Sequence, residues 1–276
     1  MTKTKLILIS LLCLCLVSCG RTYKWEMVPM DGSRTGCTAA SAENVDTALG
    51  TIAEDGTYTS PSGHVFAPET STAKVAAAVL AVQPRMASVK KVIAQSEESM
   101  PNGSSENKLS NWFVGIIMDK VQSLSGKKVD VGVCNFCGIR IGMPKGDVTL
   151  DDMKSMFPFK NYVVYLELSG AELRKVFENM AAERFLALGG VYIEVENKQI
   201  VTAQIGGAPI DDEKMYGVAT ISFLLHGGDG LSLADNAQNL QQYEVSIFDA
   251  VMDHINALNA RGEKIKGCDV RHVIVR

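Results

Sequence analysis

The chain has 276 residues, 27 basic and 31 acidic side chains, a formal charge of −4 and 46% apolar residues. A chain of this length and ordinary hydrophobicity can bury one large core, or one domain with an extension. The acidic balance and the lack of a basic run argue against nucleic acid as a partner.

A charged start with Lys3 and Lys5 precedes an apolar run from Leu6 to Val17. The run is too short to cross a bilayer with ordinary flanks and reads as a signal peptide over residues 1–18. It ends on Leu16-Val17-Ser18-Cys19, which resembles the bacterial lipobox, where small residues admit a signal peptidase and the cysteine is lipidated. The expectation is a protein of the bacterial cell envelope, outside the cytoplasm, anchored to a membrane through Cys19. Ordinary secretion with cleavage nearby leads to the same compartment. Loss of two lysines and no acid would move the charge from −4 to −6.

Residues 19–65 are rich in Gly, Ser, Thr and Ala and read as a tether with irregular structure, apart from a strand at Tyr23–Val28. A folded domain is expected over residues 66–276. Thr72 to Gln83 is alanine-rich and helical, with Pro84 expected to stop or kink it. Val89 to Ala94 reads as a strand. Leu109, Trp112, Phe113, Ile116, Ile117, Val121 and Leu124 share one face at helical spacing, and Gly126 ends that helix. Val129, Val131 and Val133 alternate with Asp130, Gly132 and Cys134, as in a strand with one buried face.

Further on, Thr149 and Asp152 can cap a short helix before Pro158, and Asn161 to Leu168 is a strand. Ser169 with Glu172 forms a capping box that starts a helix to about Glu183. Gly190–Glu196, Ile200–Ile205 and Met215–Leu225 read as strands, Glu244–Leu258 as a helix burying Ile247, Phe248, Val251, Ile255 and Leu258, and Val270–Val275 as a last strand. Strands arrive partly in hairpins and partly after helices, which favours an α+β fold of mixed sheets with flanking helices.

Cys134-Asn135-Phe136-Cys137 has redox-type spacing, yet it ends a valine-rich strand where a thioredoxin-like motif should open a helix. Two incidental cysteines or a local disulfide is the favoured reading. His64, His226, His254 and His272 lack metal spacing, so no metal or other cofactor is expected in this chain.

Glycines and polar residues gather at Asn135–Arg140, Phe157–Asn161 and Phe223–Gly230, each beside a strand, where loops on a rigid scaffold carry sites. Three glycines around Asp229 let its carboxylate approach a ligand closely. Taken singly, Phe159 and Phe223 also fit core positions, Arg140 fits a surface ion pair, and Asn135 and Asp229 fit turn-shaping roles.

Taken in order, Asn135-Phe136-Cys137-Gly138-Ile139-Arg140, Pro158-Phe159-Lys160-Asn161, Leu168-Ser169-Gly170-Ala171-Glu172-Leu173 and Phe223 followed by Gly227-Gly228-Asp229-Gly230 resemble the C-terminal domain of 5′-nucleotidases over roughly residues 105–276. The resemblance implies a domain that clamps a nucleoside while a calcineurin-like domain holds two metals against the phosphate. By position, Phe159 and Phe223 match the two aromatics that sandwich the base, Asp229 the acid that accepts from ribose hydroxyls, Asn135 a residue near the base, and Arg140 an arginine facing the phosphate. Cys137 stands where the family has a glycine. Glu106, Leu109 and Asn111 resemble a further family motif, in which Gly103 takes the place of an arginine on the phosphate side.

The metal-binding motifs of calcineurin-like phosphatases, Asp-x-His, Gly-Asp-x-x-Asp, Gly-Asn-His and Gly-His-x-His, do not occur in the sequence. The leading expectation is a substrate-recognising component of a split 5′-nucleotidase, with a separate calcineurin-like metallophosphatase chain bringing the divalent metals and the hydrolysis. A lipid-anchored nucleoside or nucleotide binder without such a partner, and a structural domain that has lost the ligand, are the alternatives.

Overall fold

The structure, a computed structural model, describes residues 45–276. Cys19, Cys37, the signal peptide and the expected strand at Tyr23–Val28 lie outside the described residues. The chain divides into two compact units after Leu80.

In the first unit, helix α1 (Val45–Leu49) precedes strands β1 (Thr51–Ile52), β2 (Tyr58–Thr59) and β3 (Val65–Phe66). They form a small antiparallel sheet where the sequence suggested irregular structure. Tyr58 holds it: its ring stacks on Phe66 at 5.8 Å and its hydroxyl donates to the Leu49 carbonyl at 2.8 Å. Helix α2 (Ser71–Met86) runs two residues past Pro84.

The second unit is α+β. Its strands and helices are β4 (Val92–Ser96), α3 (Lys108–Ser125), β5 (Val131–Cys134), β6 (Gly146–Thr149), α4 (Leu150–Met156), β7 (Tyr162–Ser169) and α5 (Gly170–Ala182). There follow β8 (Ala187–Gly189), β9 (Val191–Glu196), β10 (Gln199–Ile205), β11 (Ala208–Pro209), β12 (Met215–Ile221), β13 (Gln238–Ser246), α6 (Ile247–Ala260) and β14 (Val273–Val275). A five-stranded sheet has the order β13-β7-β12-β5-β8, parallel only between β12 and β5. A four-stranded sheet has the order β11-β10-β9-β14, parallel only between β9 and β14. Strands β4 and β6 pair separately.

Strand β5 is buried at all four residues, not on one face alone; β12 and β8 flank it in the sheet and α3 lies across one face. Gly132 and Gly189 are register partners, and a Cβ on either would sit within 3 Å of Val114 and Met118 of α3. Two bare positions side by side therefore seat the helix against the sheet. The face of α3 read from the sequence is buried except at Leu124, which is 37% exposed.

Polar anchors fix the ends of these elements. Asn107 caps α3, its side chain accepting from the Leu109 and Ser110 amides while Ser110 returns the bond, and Gly126 closes the helix. Thr149 and Asp152 make the expected box on α4. At α5 only half the box forms: Ser169 accepts from the Glu172 amide, but the Glu172 carboxylate binds Lys175 and Asn236. Asn197 and Lys198, at φ 49° and 63°, make the two-residue turn between β9 and β10. Met215–Leu225 shortens to β12 plus a 3-10 turn at Ser222–Leu224. The last helix starts at Ile247 because Ser246 caps it with Asp249, and the residues before it belong to strand β13.

The buried face of α3 outweighs its cap, since each large apolar side chain contributes about 1.5–3 kcal/mol on burial and a cap about 1 kcal/mol. Asn107→Ala should therefore leave the fold intact yet lower stability by about 1 kcal/mol, read as a lower urea midpoint at unchanged slope. An unchanged midpoint would show that the cap adds nothing.

Candidate functional site

Parallel pairing of β5 with β12 and antiparallel pairing of β12 with β7 bring three chain ends to one edge of the five-stranded sheet: the exits of β5 and β12 and the entrance of β7. Asn135 follows β5 directly, Phe159 lies just before β7, and Phe223 follows β12. Val163 opposite Ile221 fixes the register, and the Tyr162 amide donates to the Ser222 hydroxyl at 3.0 Å, which ties the Phe159 and Phe223 loops together.

Phe159 and Phe223 are 45% and 43% exposed, so neither is a core residue. Arg140 makes no ion pair among the described residues. Its Nη1 donates to the Cys137 carbonyl at 3.3 Å, and its guanidinium carbon lies 5.7 Å from the Phe159 ring centre. Its backbone is held on both sides, the amide donating to the Met156 carbonyl at 2.9 Å and the carbonyl accepting from Asn102 at 3.0 Å.

Asn135 and Asp229, 94 residues apart in sequence, meet directly: Asn135 Nδ2 donates to Asp229 Oδ2 at 3.0 Å. Asn135 is buried, and its Oδ1 has no hydrogen-bond partner among the described residues. Gly138 must stay bare for this arrangement, because a Cβ there would lie 2.7 Å from that oxygen.

Asp229 adopts a left-handed backbone, φ 47°, which Asp tolerates better than most residues. Gly228 beside it cannot carry a side chain, since a Cβ would lie 2.0 Å from the Phe223 carbonyl oxygen. The loop thus folds back on the turn that bears Phe223 and points its carboxylate at Asn135.

Cys137 does not crowd the loop where the family has glycine: it is exposed, on a 3-10 turn at Phe136–Gly138, without a left-handed backbone. Cys134 and Cys137 are both free thiols, so no local disulfide forms. Burial pushes the Cys134 thiol up and keeps it protonated. Among the described residues no group of three or more His, Cys, Asp or Glu side chains is placed to hold a metal ion.

Glu106 and Asn111 turn inward to the backbone. Glu106 accepts from the His272 amide at 2.6 Å and the Val273 amide at 3.1 Å, and Asn111 donates to the Val270 carbonyl at 2.6 Å. They secure the C-terminal strand to α3.

One neighbour carried no sequence signal. Arg184, between α5 and β8, places Nη2 4.0 Å from Asp229 Oδ1. It also lines a cleft of about 750 Å3 bounded by the start of α3, the α5–β8 connection and the C-terminal segment, and none of the five site residues lines that cleft.

Known proteins share this architecture. A family model for the C-terminal domain of 5′-nucleotidase matches residues 86–236, which include all five site residues. An apyrase from Tabanus yao is 30% identical over 162 residues, 49% of this chain and 29% of its own length. Protein UshA from Salmonella pullorum is 33% identical over 112 residues, 39% of this chain and 20% of its own. The crystal structure of a 5′-nucleotidase precursor from Thermus thermophilus superposes with a TM-score of 0.64 at 25% identity, covering 76% of this chain and 44% of that one. The chain thus spans less than a third of the length of these two curated relatives. With the matched region exceeding half of its residues and holding the whole loop cluster, the chain belongs to the family of 5′-nucleotidase C-terminal domains.

Proposed function

We propose that this chain recognises the nucleoside part of a nucleotide at the loop edge of the five-stranded sheet, while a separate calcineurin-like metallophosphatase chain brings two metal ions and hydrolyses the ester. One observation carries the reading: two half-exposed phenylalanines, a guanidinium and a hydrogen-bonded Asn–Asp pair from three strand ends converge on one sheet edge. Stacking suits this task, because every base has a π face, and contributes about 1–3 kcal/mol per base. Arg140 covers one face of Phe159, so the base takes the other, with Phe223 as the second wall. The Asp229 carboxylate oxygens are acceptors and suit ribose hydroxyls as donors. Arg140 offers paired donors to a phosphate, which lysine would not match.

Calorimetric titration with adenosine and AMP should show binding, and Phe159→Ala and Phe223→Ala should each weaken it by about 1–3 kcal/mol. No heat with either ligand, with or without the partner chain, would defeat the recognition role; unchanged affinity in both variants would defeat the sandwich.

The division of labour rests on the catalytic motifs missing from this sequence and on relatives of greater length, named as an apyrase and a 5′-nucleotidase. With manganese or zinc added, AMP hydrolysis should be absent in this chain, low in the candidate partner and higher in the mixture. Activity in this chain alone would overturn the arrangement, as would a mixture no faster than the partner.

The same reading puts the protein at a bacterial membrane, outside the cytoplasm and held by lipid on Cys19, on the strength of the Leu16-Val17-Ser18-Cys19 sequence. Cells fed radioactive palmitate should label the wild-type protein and not Cys19→Ala. Label that survives the substitution rules the anchor out.

A further inference from the structure

The cleft beside Arg184 is not used by nucleoside recognition as described above. Its volume, about 750 Å3, lies within the range of small-molecule sites, roughly 300–1,000 Å3. Its apolar wall comes from Phe136, Met180, Leu186 and Leu188, all buried. Its charged wall comes from Arg184, Lys198 and Arg271, all exposed.

These cations are poorly matched. Lys198 and Arg271 make no ion pair among the described residues, and the ion pair that Arg184 makes there is with Asp229 at 4.0 Å. Two of the acids that line the cleft are occupied: Glu106 by the His272 and Val273 amides, and Asp269 by Lys108 at 3.2 Å. Glu183 is the third. The cleft therefore offers a greasy floor under cationic groups that lack close partners, a combination suited to an anion with an apolar body.

We propose that this cleft is a second ligand site, for an organic anion such as a carboxylate, sulfonate or phosphate ester on an aromatic or branched apolar body. It is coupled to the nucleoside loops by two of its own wall residues. Phe136 follows Asn135 in the chain, and Arg184 Nη2 lies 4.0 Å from Asp229 Oδ1, so each partner of the Asn135–Asp229 hydrogen bond neighbours a residue that lines the cleft. An anion that draws the Arg184 guanidinium into the cleft takes it away from Asp229 and changes the field at that carboxylate. The binding half of the proposal stands without the nucleoside reading; the coupling half rests on it.

The probe is anilinonaphthalene sulfonate, which has an aromatic body and one anionic group, titrated by fluorescence into the intact chain. Saturable binding at one probe per chain is expected. Replacing both exposed arginines, Arg184→Gln with Arg271→Gln, should weaken it by about tenfold, the loss expected for charge-assisted hydrogen bonds. Ala181→Trp, which fills the cleft, should abolish it, and Phe159→Ala should leave it unchanged. Absence of saturable binding, or wild-type affinity in the double variant, overturns the site. For the coupling, saturating probe should shift adenosine affinity severalfold in the wild type and not in Arg184→Gln; an unshifted wild type overturns it. Should adenosine fail to bind at all, the nucleoside reading falls, and the probe titration still decides the cleft.

Discussion

The parallel pairing of β5 with β12, Val131 opposite Val218 and Gly132 opposite Ala219, determines where the loops of this domain lie. Parallel neighbours end at the same edge, and β7, antiparallel to β12, begins there. Three loops that are distant in sequence are thereby delivered to one place without any contact between them being needed first. The pairing in turn depends on how α3 crosses it. Gly132 and Gly189 stand side by side under Val114 and Met118, and a methyl group on either would push the helix away from the strand whose exit carries Asn135.

Within the loop cluster, stability is given up at identifiable atoms. Asn135 spends a donor on Asp229 and leaves its own buried carbonyl oxygen without a partner, an omission that costs about 1–3 kcal/mol. Asp229 holds a left-handed backbone next to a glycine that has no room for a side chain. A core built for stability alone would avoid both features, and their occurrence together at the edge of a well-packed sheet fits a place selected for what it binds. The surrounding bonds are ordinary by comparison: the Tyr162 amide on Ser222, and Arg140 fixed by its own backbone.

Much of this was legible in the sequence, because apolar period and capping chemistry are local signals. The buried face of α3, the box at Thr149, the Ser169 cap and the order of the site loops all depend on residues close in the chain. Strand β13 was not legible, since its Gln-Asn-Leu-Gln-Gln stretch lacks alternation. It is an edge strand fastened from outside. Glu167 of β7 accepts from Asn239, Lys127 and Tyr165, and those bonds, Asn239 foremost, hold its carboxyl below the usual carboxylate range. Leu124 reads as core by spacing alone, yet it sits in the last turn of α3, where it is partly exposed to solvent. Arg184 could not be found at all, as its neighbour Asp229 is reached only through the tertiary fold.

The stretch from Glu106 to Asn111 shows how a family motif can work on the fold itself. For this motif the resemblance put a phosphate-side contact only at position 103, where Gly103 stands in place of an arginine. In the structure the Glu106 carboxylate is filled by two backbone amides of the C-terminal segment, and the Asn111 Nδ2 donates to a carbonyl of the same segment while its buried Oδ1 has no hydrogen-bond partner among the described residues. Backbone groups bonded this way are costly to release, because each freed one would need a new partner. Those bonds hold β14 beside β9 and close one wall of the cleft that Arg184 shares. The motif thus reaches the loop cluster only through the fold: it fixes the C-terminal segment, the segment bounds the cleft, and Arg184 at the cleft lies 4.0 Å from the carboxylate of Asp229.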